Sequence, residues 1–373
     1  MNSMLITEQL IKATHIFKGG EDYPLLAPRG VFLVNGLLMV ADTGQNRVFI
    51  WRAIPKTEFQ IPDVVLGQMH KEGTGRNASG QVSAHSLMYP SGLWSDGKRL
   101  VVADAWNHRV LVWNSIPEKD GQPADVVIGQ ADFSSNEPNR TGVGAMPSAQ
   151  SLYWPYGVFS DGKRLWIADT GNRRVLFYEG IPDKNGAKAD GVIGKPGFDS
   201  RDYDHLDAIW PYSVKISPQG QLAITDTQYY RVLLWDNWIK AFSEKADTII
   251  GQASFEDNGQ NQFGWFPKAN TLNWCYDTCF YKKGMYVADT GNSRILWFEN
   301  LPTHNNSEAN QVLGQDNFNR GIENKNAIWS TPDSLYWPFH LSIANGRMAV
   351  ADTGNHRIVI HKLGEGEGEG EGE

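Results

Sequence analysis

The sequence predicts an all-β chain, a six-bladed β-propeller of four-stranded antiparallel blades closed by an N-terminal strand. Three observations carry this. A short phrase, Asp-Thr-Gly-Asn-x-Arg-Val/Ile in its fullest copies, recurs six times, with its aspartate at 42, 104, 169, 226, 289 and 352 and so at spacings of 62, 65, 57, 63 and 63 residues. Each interval holds the same four β-rich runs, split by Gly, Pro, Asn and Asp. The sixth interval lacks its fourth run, and the start of the chain supplies one.

Blade two shows the grammar. Leu87–Trp94 is a first apolar run, Asp96-Gly97 a turn and Leu100–Ala103 a second run. The Asp104–Arg109 loop leads to Val110–Trp113, an Ile-Pro turn at 116–117 follows, and Val126–Ile128 ends in Gly129-Gln130. Fourth runs recur as Val64–Leu66, Val192–Ile193, Thr248–Ile250 and Val312–Leu313. Such units cannot bury both faces alone, so they stack face to face around an axis. Ala13–Gly19 resembles the missing fourth run of blade six, and placing it there removes an open strand edge. The expected organisation is an N-terminal extension at 1–10, one propeller domain at 11–363 with 13–19 completing blade six, and a disordered Gly-Glu tail at 364–373.

The repeated phrase, preceded by Pro-x-Gly-Val and Asp-Gly, resembles the NHL repeat over nearly the whole chain. The resemblance implies the propeller fold but spans binding, sensor and enzymatic members, so function has to come from particular residues. Net charge is −8, and Glu365, Glu367, Glu369, Glu371 and Glu373 contribute five of those charges. No basic phosphate-tracking surface is evident, which argues against nucleic acid. Arg47, Arg109, Arg174, Arg231, Arg294 and Arg357 sit inside the phrase and are expected to pair with the blade aspartates.

Met1–Lys18 has no signal-like apolar core, and no run of about 18 apolar residues occurs, so a soluble cytoplasmic protein without membrane contact is expected. Cys275 and Cys279, placed four apart on one predicted strand, would be separated by roughly 13 Å. That is beyond the ~7 Å reach of a disulfide. The sequons at Asn77, Asn139 and Asn305 are then not glycosylated.

Strand direction puts the Pro-x-Gly step, the Asp-Thr-Gly-Asn loop and the long connections between blades at one end, and binding concentrates on such loops. Three features meet there. Trp154 and Tyr156, Trp210 and Tyr212, Trp274 and Tyr276, and Trp337 and Phe339 occupy equivalent positions in blades three to six, where blade one has Ala27-Pro28-Arg29 and blade two Tyr89-Pro90-Ser91. These rings either pack between blades or form an aromatic rim for an apolar, sugar or peptide ligand. Gly30, Gly92 and Gly157 give way to Ser213, Asp277 and His340 in blades four to six. With Arg29 these three are the channel-mouth candidates, and Asp277 with His340 is either a space-filling polar contact, an acid/base pair or a divalent-metal site. Finally, Trp106 and Tyr229 stand at loop tips that depart from the consensus and are expected to be exposed candidate partner contacts.

No phosphate loop, His-Glu-x-x-His or Gly-x-Ser-x-Gly is present. The sequence is therefore read as a binding or scaffold module for a protein or peptide. No cofactor is expected, and a small-molecule partner stands as a lesser option. The alternative is a metal-dependent hydrolase, lactonase or lyase at the channel mouth.

Overall fold

Six antiparallel sheets of four strands each account for the regular structure of residues 13–201 and 209–364, the part of the chain described by this computed structural model. From the axis outward, blade one runs Gly30–Val34, Leu37–Asp42, Arg47–Trp51 and Val64–Leu66. The innermost strands of the other blades are Pro90–Ser95, Val158–Ser160, Pro211–Ile216, Asp277–Tyr281 and Pro338–Ala344. Outer strands expected at Val64–Leu66, Val126–Ile128 and Thr248–Ile250 stand there. The inner strand of blade two starts later than expected, at Pro90, because Tyr89 is left-handed at φ 57° and cannot extend the ladder. Cys275 likewise lies ahead of the strand that carries Cys279, and both thiols are free.

The core consists of slabs between blades. Met39, Ile50 and Leu66 of blade one, for example, pack on Leu93, Leu111 and Val127 of blade two. Ala13–Phe17 pairs antiparallel with Arg357–Lys362, setting Ile16 opposite Val359 and Phe17 opposite Ile358. Phe17 is buried and meets Trp51 of blade one edge-on at 5.5 Å. The first strand thus completes blade six and helps seal it to blade one. The expected extension at 1–10 and all but the first residue of the Gly-Glu tail lie outside the described residues.

Outer strands are covered by the loop of the following blade. Val65 donates its N–H to Asp120 Oδ1 at 2.9 Å and accepts from Gly121 at 2.9 Å. Asn185 receives Val127 and Asn305 receives Ile249 in the same way, both at 3.0 Å. A polar side chain and a backbone group together cap an edge that would otherwise recruit another strand.

At the opposite, loop-rich end each repeat aspartate forms a clasp. In blade three Asp169 Oδ1 accepts the Tyr153 N–H at 2.8 Å, while Oδ2 accepts Arg174 Nε at 2.8 Å and Asn172 Nδ2 at 2.7 Å. The guanidinium then donates to the carbonyls of Ser148 and Ser151 on the incoming connection and to Phe198 on the outgoing one. The same Asp–Arg pair occurs in every blade at 2.6–2.8 Å. Burial opposes the charge and lifts the Asp42 carboxyl to about 6, with the Arg47 guanidinium pulling it down. Beside the clasp the Asn172 and Asn139 amides bond reciprocally at 2.8 and 3.0 Å. Asn77 pairs with Asn107 in the same fashion, so two of the three sequons are buried structural amides.

The threonine of the phrase clips neighbouring blades. Thr43 Oγ1 donates to Pro90 O at 2.7 Å, Thr170 to Pro211 O at 2.7 Å and Thr353 to Pro28 O at 2.5 Å across the ring closure. Blade two has Ala105 instead, and there Ser91 Oγ and Gly92 N both donate to Tyr156 O at 2.8 Å.

Two outcomes follow. Deleting residues 1–18 removes the outer strand of blade six. Differential scanning calorimetry should show a sharp fall in Tm and size-exclusion chromatography should show larger species, and a monomer with unchanged Tm would contradict the closure. Arg174→Ala leaves a buried carboxylate with no cation, and urea denaturation should register a loss of about 3–5 kcal/mol.

Candidate functional site

The inner strands enter the channel at the loop-rich end, and their first residues build it in layers. The outermost layer comprises Ala27, Tyr89, Trp154, Trp210, Trp274 and Trp337. All but Trp210 are left-handed, with φ of 48–57°. Bulky residues adopt this conformation only when their surroundings hold them. The hold comes from the preceding blade. Asn46 Oδ1 accepts the Tyr89 N–H at 3.0 Å, His108 Nδ1 accepts Trp154 at 3.0 Å and His356 Nδ1 accepts Ala27 at 3.1 Å.

The next layer is Arg29, Ser91, Tyr156, Tyr212, Tyr276 and Phe339. Its four rings form one cluster. Tyr156 touches Tyr212 at 5.0 Å and, across the axis, Tyr276 at 5.8 Å, while Tyr276 meets Phe339 at 4.2 Å. Tyr156, Tyr212, Tyr276 and Phe339 are only 3–8% exposed, so they plug the channel and are not rim contacts. Trp274 and Trp337, at 44% and 42%, do face solvent. Trp154 and Trp210 lie between, and Arg173 stacks on Trp210 at 3.9 Å.

Beneath the plug come Gly30, Gly92, Gly157, Ser213, Asp277 and His340. A Cβ on Gly30 would stand 2.0 Å from Ser91 O, and one on Gly157 would stand 2.4 Å from Tyr212 O. These glycines let neighbouring inner strands touch on one side of the ring. On the other side Asp277 fills the gap: Oδ1 accepts Ser213 Oγ at 2.5 Å and lies 3.3 Å from Lys215 Nζ. Oδ2 accepts the Leu341 N–H at 2.9 Å and lies 3.5 Å from His340 Nε2. The expected proximity of Asp277 and His340 is present. Its donor set does not fit a divalent ion, because hydrogen-bond donors and an ammonium already surround both oxygens. Among the described residues no group of three or more His, Cys, Asp and Glu side chains is arranged to hold a metal. Burial pushes His340 down to about 4, leaving a neutral imidazole at pH 7. From the loop-rich end the four rings lie over this pair.

Trp106 is 39% exposed and stacks on Tyr89 at 4.9 Å, with Arg76 above it at 5.4 Å. Tyr229 instead lies beneath Arg231 at 5.0 Å and is partly buried. Its neighbour Gln228 is the one that reaches the mouth, with Nε2 3.4 Å from Tyr212 Oη.

Among the described residues the most exposed large apolar side chains are on positions not anticipated as a site. The connection into blade five presents Phe263, Trp265 and Phe266 at 77%, 96% and 71%, and the connection into blade six presents Ile328 and Trp329 at 89% and 81%. Both loops share one skeleton. Asn261 and Asn324 are left-handed and bond the clasp-side Asn292 and Asn355, and Gly264 and Ala327 each donate back to that asparagine's carbonyl at 3.0 Å. Trp265-Phe266 and Ile328-Trp329 follow at equivalent positions. The two loops are in contact, since a Cβ on Gly321 would lie 3.1 Å from Pro267 Cγ. The available signal was a pair of large apolar residues inside a polar, Asn-rich stretch, outside the aligned repeat.

No family model and no curated protein matches the chain. Solved structures similar to it include Raptor from Chaetomium thermophilum, 10% identical over 95% of this chain at a TM-score of 0.47. Hydrazine synthase from Kuenenia stuttgartiensis is 12% identical, with 90% of this chain and 76% of that one covered at 0.46. The computationally designed Ika8 protein is 8% identical, with 94% of this chain and all of that one covered at 0.43. The chain spans 29% of the Raptor chain. Likenesses of this size say nothing of activity or partner.

The depressed His340 pKa sets a pH dependence. Between about 6.5, its unfolded value, and about 4 the unfolded chain binds the extra proton, so this contribution to stability is whole above pH 6.5 and fades as pH falls toward 4. Comparing Tm at pH 7 and 4.5, His340→Gln should lose less on acidification than the parent; equal losses would place the imidazole in a solvated setting.

Proposed function

We propose that this chain is an NHL-type propeller serving as a cytoplasmic binding module, and that a protein or peptide partner docks on the apolar ridge of its loop-rich face. One observation carries the reading: Phe263, Trp265, Phe266, Ile328 and Trp329 are all more than 70% exposed on two touching, internally hydrogen-bonded connections. Water-facing rings lose hydration free energy that burial against a partner would recover, and Trp is enriched at the centres of such contacts. Rigid loops add to affinity because little chain entropy remains to be lost. The free Cys275 and Cys279 accord with a reducing compartment. Among the described residues no helix is long and apolar enough to cross a membrane.

The test is a double variant, Trp265→Ser with Trp329→Ser, assayed against peptides selected on the parent protein from a random display library. Affinity should fall about a hundredfold, as expected for loss of two anchors, with Tm essentially unchanged because neither ring packs inside. Undiminished affinity would refute the ridge as the docking surface. A large drop in Tm would make the rings structural. Sedimentation of both proteins decides whether the partner is a second copy, since a parent dimer that the variant abolishes identifies self-association.

A further inference from the structure

A separate site follows from the one cation set into the plug. Arg29 occupies the position that four other blades fill with a ring, and its guanidinium is sandwiched between Phe339 at 4.3 Å and Tyr89 at 5.1 Å. Nη1 lies 3.5 Å from Tyr156 Oη. No carboxylate forms an ion pair with Arg29 among the described residues, whereas each arginine of the repeat phrase has its aspartate. The guanidinium is held by two ring faces and one 3.5 Å hydroxyl contact in place of a carboxylate, so it keeps its charge and the capacity to pair with an incoming anion. Tyr156 offers a second donor: its hydroxyl accepts from Arg29, keeps its proton because burial raises its pKa well above the ordinary value, and donates to no acceptor among the described residues. On this side Ala27 replaces the rim aromatic and Ser91 replaces the plug ring, and Arg29 itself is partly exposed. Trp106, stacked on Tyr89 with Arg76 on its outer face, continues the aromatic wall outward.

We propose that the channel mouth binds a carboxylate carried on a flat apolar body, the carboxylate meeting Arg29 and the Tyr156 hydroxyl and the body lying against the exposed Trp337. One guanidinium and one hydroxyl match the two oxygens of a monoanionic carboxylate. The same chemistry is offered by a free aryl acid and by the C-terminal carboxylate of a peptide ending in an aromatic residue. The site shares none of the ridge residues and stands or falls independently of the ridge.

Calorimetric titration of the full chain with N-acetylphenylalanine, its amide, and a hexapeptide ending in phenylalanine with a free or amidated C-terminus tests this. Acids should bind at least about tenfold tighter than the matching amides, the worth of one charge-assisted contact. Binding by both acids points to a free small acid as sufficient, and binding by the peptide acid alone points to a chain terminus. Arg29→Gln should erase the preference for acid over amide, and Arg29→Lys should keep part of it. Tyr156→Phe, which leaves the plug ring in place, should weaken the acids alone. If the amides bind as well as the acids, if Arg29→Gln keeps the preference with Tm unchanged, or if no probe binds at millimolar concentration, the assignment is wrong.

Discussion

Everything at the loop-rich end of this molecule hangs on the buried Asp–Arg clasp. A carboxylate with no exposure must have its lone pairs occupied, and here one oxygen takes the N–H of a residue sixteen positions earlier while the other takes the arginine. The guanidinium has donors left over, and it spends them on carbonyls of the connections that enter and leave the blade. One ion pair therefore fixes three stretches of irregular chain. Such a pair is not obviously stabilising against an apolar equivalent of the same shape. What it provides is position, and repetition in six blades places the connections on one face at defined heights.

On that frame the ring is pseudo-symmetric in its strands and asymmetric in its centre. Glycine on one side lets backbones touch, and on the other Ser213, Asp277, His340 and Lys215 occupy the added volume with a compact polar network. The plug repeats this division, with rings from blades three to six and a guanidinium and a serine from blades one and two. The closed centre leaves the mouth around Arg29 and the ridge on the connections as the two surfaces proposed for recognition.

Legibility in the sequence followed the repeat. Wherever a residue lies in register with five counterparts, its role could be read: the clasp arginines, the outer strands ending Gly-Gln, and the closing strand Ala13–Phe17. The pairing of Asp277 with His340 was legible too, as a break in a glycine column. Comparing blades one position at a time does not reveal that Trp274 is left-handed ahead of the inner strand, so Trp274 and Tyr276 read as one aromatic cluster although one is on the rim and the other in the plug. Gln228 was hidden by the more conspicuous Tyr229 beside it. Trp265 and Trp329 fell outside the register altogether, in connections whose lengths differ.

The closing strand has a consequence in time. Thr14 bonds Ile360, 346 residues later, so at ribosomal rates of about 5–20 residues per second the first strand waits roughly 20–70 s for its partner to be made. Blades one to five can form meanwhile, each adding to the last, but the circle stays open with an unpaired edge at either end. That interval is long compared with hairpin formation in microseconds. The nascent chain is thus a solenoid that becomes a ring when Arg357–Lys362 pairs with Ala13–Phe17, and its exposure to other strands lasts until that pairing is made.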